Sequence, residues 1–178
     1  MIRILYITLI LIITIQAQTK IETDSKTDLP MLVGRGVKSD ILKAPFLEWY
    51  QENSKSYEAD HGLVQATSDF INGVTIEIFM GTWCGDSRRE VPRFLDIIEE
   101  AGYESEIQAI AYLNRDRVNP QGDEKGKNIH HVPTFIIYRD GIELGRIVES
   151  PVESLEDDLF NILMGDPPTP NYSDWEEE

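Results

Sequence analysis

Residues 74–80 read Val-Thr-Ile-Glu-Ile-Phe-Met and run straight into Gly81-Thr82-Trp83-Cys84-Gly85-Asp86-Ser87-Arg88-Arg89. Val74, Ile76, Ile78 and Met80 alternate with Thr75, Glu77 and Phe79, the period of a strand. From about Ser87 to Ala101 the apolar residues Val91, Phe94, Leu95, Ile97 and Ile98 recur at helical spacing, and Gly102 supplies a stop. A strand therefore feeds a helix through a turn of a few residues, and that turn carries the chain's one cysteine. A helix N-terminus offers unpaired N–H groups and the positive end of the peptide dipole, both of which favour a thiolate, the reactive form of the side chain. Arg88 and Arg89 act in the same direction, and Asp86 and Glu90 oppose them.

Downstream, Ile107–Leu113 predicts a second strand. Phe135–Tyr138 and Glu143–Val148 predict a hairpin around Asp140-Gly141, a strong turn signal. Pro151 and Glu153 open a last helix with Leu155, Leu159, Phe160, Ile162 and Leu163 on one face, ending at Gly165. Just before the hairpin stands His131-Val132-Pro133-Thr134.

With Trp83-Cys84-Gly85 in a strand-to-helix turn, Pro92 eight residues past Cys84, and Val132-Pro133 entering the last hairpin, the chain resembles the thioredoxin superfamily. The resemblance spans roughly residues 74–165. It implies an α/β thioredoxin-like fold, a central mixed β-sheet flanked by helices, here with an N-terminal helical extension. It also implies a cis bond before Pro133, with that proline facing the reactive cysteine and helping to orient an extended substrate. The expected roles follow residue by residue: Cys84 is the nucleophile, Ser87 its hydrogen-bond partner, and Trp83, Val132 and Pro133 contact the substrate. No cofactor and no metal is implied. His130 and His131 near a single cysteine do not make a recognised ligand spacing.

Two departures from the family pattern bear on chemistry. The second, resolving cysteine of the family is Ser87 here, and the position of the family's buried acid is Ile78, with Glu77 beside it. Alternation along a strand sends Glu77 to the opposite face from Ile78. An alcohol cannot resolve a mixed disulfide, so the expected activity is of monothiol type: thiol–disulfide exchange or reduction completed by an external thiol. The competing reading is a redox-silent binding module that uses the proline edge or the aromatic helix near Trp49.

The remaining segments set the domain layout. Met1-Ile2-Arg3, an apolar run from Ile4 to Ile15 and Ala17 have the parts of a signal peptide, expected over residues 1–17. An uncleaved anchor is the alternative. A polar lead-in follows from Thr19 to about Asp40, flexible or loosely packed. A helix is expected from about Pro45 to Glu58, with Phe46, Trp49, Tyr50 and Tyr57 on its stripe and a break at His61-Gly62. Residues 18–62 thus form an extension with one helix. Residues 63–165 form the thioredoxin-like domain, opened by a short helix over Leu63–Ile71. Residues 166–178, rich in proline and acid, form a mobile tail. Residues 114–131 show no periodicity and read as a long connection, which either selects substrate or is simply solvated.

Thirty-two acidic against 16 basic residues give a net charge of -16, which argues against nucleic acid and anionic membranes as partners. The expected partner is a disulfide- or thiol-containing protein or a small thiol. The expected setting is extracytoplasmic, either periplasmic or secreted. The protein is expected to be a monomer, with a Cys84-linked dimer open to it under oxidising conditions.

Overall fold

The computed structural model describes residues 19–70 and 72–174. The expected leader at residues 1–17, Ile71, and the last four residues of the acidic tail lie outside the described residues. The described residues form six strands: β1 (Lys20–Thr23), β2 (Pro30–Gly36), β3 (Val74–Met80), β4 (Ile107–Tyr112), β5 (Thr134–Arg139) and β6 (Ile142–Val148). They form one sheet in the order β1-β2-β4-β3-β5-β6. Only β3 and β4 run parallel, because the helix between them, α4 (Gly85–Glu100), carries the chain back across the sheet. The other neighbouring pairs are antiparallel. The result is the mixed sheet flanked by helices that the α/β reading requires.

The main core lies on one side of this sheet. Ile76 and Ile78 of β3 meet Val91, Phe94, Leu95 and Ile98 of α4, all of them almost fully buried. Phe94 stacks on Phe135 of β5 with ring centroids 4.1 Å apart. The same core takes in Tyr50 of α2 (Leu47–Lys55), Val64 of α3 (His61–Thr67), and Leu155, Leu159 and Ile162 of α5 (Leu155–Met164). The opposite face is a smaller apolar cluster of Phe79, Ala111, Leu113, Ile129, Val132 and Ile136, against which Trp83 and Cys84 pack. Residues 114–131 cover this side as a series of turns rather than a helix. Each large apolar side chain buried in this way contributes about 1.5–3 kcal/mol.

The lead-in is a correction to the sequence reading. It is neither loose nor flexible, since β1 and β2 form a hairpin whose inner strand pairs with β4. Met31, Leu32 and Val33 are buried. The apolar run is too short to show a period; it pairs with β1, and the strand continues through Gly34–Gly36 onto β4, more than 70 residues away in the chain. Gly36 makes the close approach possible: a Cβ there would come within 2.4–2.7 Å of Asp40, Thr19 and Tyr112.

The extension also holds more than one helix. A single-turn α1 (Lys38–Ile41) precedes α2, and the break falls before His61 rather than at His61-Gly62. Asp60 caps α3 by accepting the Leu63 N–H at 3.0 Å, so those two residues open a helix. The tail is anchored as well. Asn171 donates to the carbonyls of Val148 and Ser150, and Tyr172 stacks flat on His131 with centroids 3.8 Å apart.

Candidate active site

The site begins where β3 ends. The Met80 carbonyl still accepts from Leu113 N–H at 2.8 Å, and the Gly81 carbonyl then accepts from Cys84 N–H at 2.9 Å, closing a tight turn. A Cβ on Gly81 would lie 2.5 Å from the Trp83 indole, so only glycine leaves the ring its place. Cys84 is the N-cap of α4. Its backbone is extended (φ -87°, ψ 131°) and its carbonyl accepts the Arg88 N–H at 3.1 Å, so the helix starts immediately after it. The Arg88 side chain reaches back to the Thr82 carbonyl at 2.6 Å and ties the turn to the first helical turn.

The Cys84 thiol is half-buried and donates to the Val132 carbonyl at 3.2 Å. The Val132–Pro133 peptide bond is cis. The Val132 side chain is 3% exposed and belongs to the apolar cluster, so what this residue presents to the sulfur is its backbone. Asp86 lies 4.0 Å from the sulfur, and its carboxylate is engaged by Arg89 at 2.7 Å. Trp83, Cys84, Val132 and Pro133 are therefore brought together from two segments nearly 50 residues apart.

Ser87 is placed otherwise than the sequence reading expects. It is fully buried, and its Oγ accepts the Gly81 N–H at 3.2 Å, while the sulfur's contacts are with Val132 and Asp86. Gly81 leaves β3 with an N–H that needs an acceptor, and the first turn of α4 brings Ser87 beneath it. The hydroxyl holds the turn together and does not bond to the Cys84 sulfur.

Three neighbours carry no signal in the sequence. Arg115, from the long segment after β4, lies with its guanidinium 4.5 Å above the Trp83 ring. It is bonded through Nε and Nη2 to both carboxylate oxygens of Asp24, at 2.8 and 2.6 Å. That guanidinium, helped by the Thr27 hydroxyl, holds the Asp24 carboxyl well below the usual carboxylate range. The third is Tyr172, whose ring covers His131 beside the proline loop and whose hydroxyl donates to Glu149 at 2.7 Å. Each contact joins positions far apart in the chain, and residue periodicity is blind to such pairs.

Among curated proteins, the chain is 32% identical over 92 residues to Thioredoxin Asp f 28 of Aspergillus fumigatus, a match that takes in 51% of this chain and 80% of that one. The chain belongs to the thioredoxin superfamily. It is also 30% identical over 82 residues to Thioredoxin-2, mitochondrial, of Schizosaccharomyces pombe, covering 46% of this chain and 57% of the relative. No protein-family model matches it, and no solved structure matches it significantly.

A thioredoxin-superfamily sheet here also carries a groove of about 560 Å³ on the face away from the main core, lined by Arg35, Glu77, Phe79, Ala111, Asp123 and Lys127 among others. Cys84 is not part of its lining. Its charges are satisfied among themselves: Arg35 pairs with Asp123, and Lys127 bonds to Glu77 at 2.7 Å and to the Tyr138 hydroxyl at 3.0 Å. Glu77 is thus on the opposite face of β3 from buried Ile78, committed to Lys127 and Tyr138.

Proposed function

We propose that this protein is a monothiol thiol–disulfide exchange protein in which Cys84 is the nucleophile. The Cys84 sulfur, as thiolate, attacks one sulfur of a substrate disulfide. A Cys84–substrate disulfide forms, the substrate S–S bond breaks, and the other half leaves as a thiolate that takes a proton from solvent. A second, external thiolate then attacks the mixed disulfide, releases Cys84, and completes the exchange. The observation that carries this reading is the lone cysteine at the N-cap of α4 with its sulfur 3.2 Å from the Val132 carbonyl, in a chain that has Ser87 where a resolving thiol would stand.

Membership in the thioredoxin superfamily supports thiol–disulfide redox chemistry in general, with thiol-containing proteins as the general kind of partner. The monothiol cycle, the substrate-contact roles of Trp83, Val132 and Pro133, and export are the finer parts of the proposal. Export is supported by Arg3, the apolar run from Ile4 to Ile15, and Ala17.

Intact-mass spectrometry tests the whole reading. Protein recovered from the exporting cell should begin at Gln18. Incubated with a disulfide substrate and no reductant, it should accumulate a one-to-one adduct that glutathione discharges in proportion to its concentration, and Cys84→Ser should form none. Absence of an adduct over a range of disulfide substrates at neutral pH would leave the redox-silent binding module as the better description. A full-length mass would refute cleavage after Ala17.

A further inference from the structure

We infer that Arg115 is a positioning residue for the active site, acting through Trp83, and that the N-terminal hairpin supplies the carboxylate that holds it in place. The inference deepens the proposed function, since it rests on Trp83 being a surface against which the substrate docks. Trp83 flanks the nucleophile and is only half-buried, so packing alone does not confine its ring. Three contacts do so here. The indole N–H donates to the Leu113 carbonyl at 2.9 Å. The backbone of Gly81 lies against the ring, where no Cβ would fit. The Arg115 guanidinium covers the ring at 4.5 Å.

An arginine can confine a ring only if its own plane is confined, because the side chain has several rotatable bonds and its head prefers water. Asp24 provides that restraint. It is 2% exposed and receives Arg115 in a two-pronged bond. It is itself fixed by the Thr27 hydroxyl at 2.6 Å and the Lys26 N–H at 3.2 Å, within the turn of the β1–β2 hairpin. A second link runs parallel to the first, since the Leu32 N–H of β2 donates to the Thr82 hydroxyl at 2.9 Å in a buried position. The hairpin therefore grips the active-site turn twice, at Thr82 and, through Arg115, at Trp83. Residues that precede the thioredoxin-like core form one wall of its site.

A lysine would keep the charge at position 115 and lose the fork, which separates positioning from simple electrostatics. Removing Arg115 alone strands a buried Asp24 charge, so the double variant Asp24→Asn/Arg115→Met is compared with Arg115→Lys in the full chain. Two readouts apply. The first is the Trp83 indole resonance in a proton–nitrogen correlation spectrum, assigned by its loss in Trp83→Phe. The second is the rate of adduct formation on insulin set against the rate of Cys84 alkylation by iodoacetamide, a reagent too small to need the tryptophan wall. In both variants the Trp83 resonance should shift or broaden while that of Trp49 stays put. Adduct formation should slow about tenfold, with alkylation held within about twofold.

An unmoved Trp83 resonance, or an Arg115→Lys protein that behaves as wild type, would overturn the inference. So would equal losses in both rates, which would make Arg115 a charge acting directly on the sulfur. If the wild-type protein forms no adduct, the proposed function falls, and the resonance still decides whether Arg115 positions Trp83.

Discussion

Replacing Ser87 by alanine separates the two roles that its position invites. The residue has no exposed surface, and its Oγ is the acceptor for the Gly81 N–H at the end of β3. Alanine removes the acceptor without adding bulk and leaves a backbone donor in a place water does not reach. An unsatisfied buried donor costs about 1–3 kcal/mol. The bond here is 3.2 Å, at the long end of the N–H···O range, which puts the expected loss in the lower half, about 1–2 kcal/mol. For a chain of this size each kcal/mol lowers Tm by about 2–4 °C, so Ser87→Ala should melt about 2–8 °C below wild type in a calorimetric or circular-dichroism scan.

The same substitution should leave the chemistry nearly intact. The Cys84 sulfur keeps its contact with the Val132 carbonyl, and nothing that Ser87 bonds to touches the sulfur. The rate of adduct formation, followed by intact mass at a temperature well below both melts, should stay within about twofold of wild type. The reasoning is refuted by the opposite pattern, an unchanged Tm with adduct formation slowed about tenfold or more. That result would mean the hydroxyl serves the sulfur in solution and the Gly81 bond is incidental.

Two further outcomes test the neighbourhood. Ser87→Cys should form an internal disulfide with Cys84 in an oxidising buffer and should no longer accumulate a mixed disulfide, because the introduced thiol resolves it; persistent adduct in that variant would show that the two side chains cannot meet. Asp24 supplies a pH signature: its folded carboxyl is held below its unfolded value by Arg115, so its stabilising contribution is complete above about pH 4 and is lost as pH falls below that. Asp24→Asn should therefore flatten the decline of Tm between about pH 4 and pH 2, and parallel melting curves for the two proteins would remove Asp24 as a source of acid lability.

Much of this molecule is local enough to be read from residue order. The alternation over Val74–Met80, the helical stripe from Val91 to Ile98 and the Asp140-Gly141 turn each depend on neighbours a few residues apart, and each element stands within a residue or two of where its pattern ends. Trp83, Cys84 and Gly85 are legible for the same reason, since a strand-to-helix turn and the helix N-cap it creates are matters of a few consecutive residues. Pro133 and Val132 were legible only as a motif. That they stand at the sulfur depends on β5 pairing with β3, which no local pattern records.

What the chain does around that turn was decided in three dimensions. A four-residue strand at Lys20–Thr23 and a run as short as Met31-Leu32-Val33 have no period to detect; they pair with each other, and Gly34–Gly36 extend the second strand onto the edge of β4. Asp24 and Arg115 are 91 positions apart, and either alone reads as an ordinary surface charge in an acidic protein. Ser87 shows the limit most directly. Its identity predicts a missing resolving thiol, which is a statement about composition at one position, whereas the direction of its hydroxyl was set by an orphan N–H on Gly81 that exists only once strand and helix have met. Sequence by itself determined the elements that carry a period of their own and which sulfur is at the helix start. Tertiary structure alone decided what surrounds that sulfur, because hydrogen bonds and ion pairs between distant segments depend on where the folded backbone brings them and leave no period in the residue order.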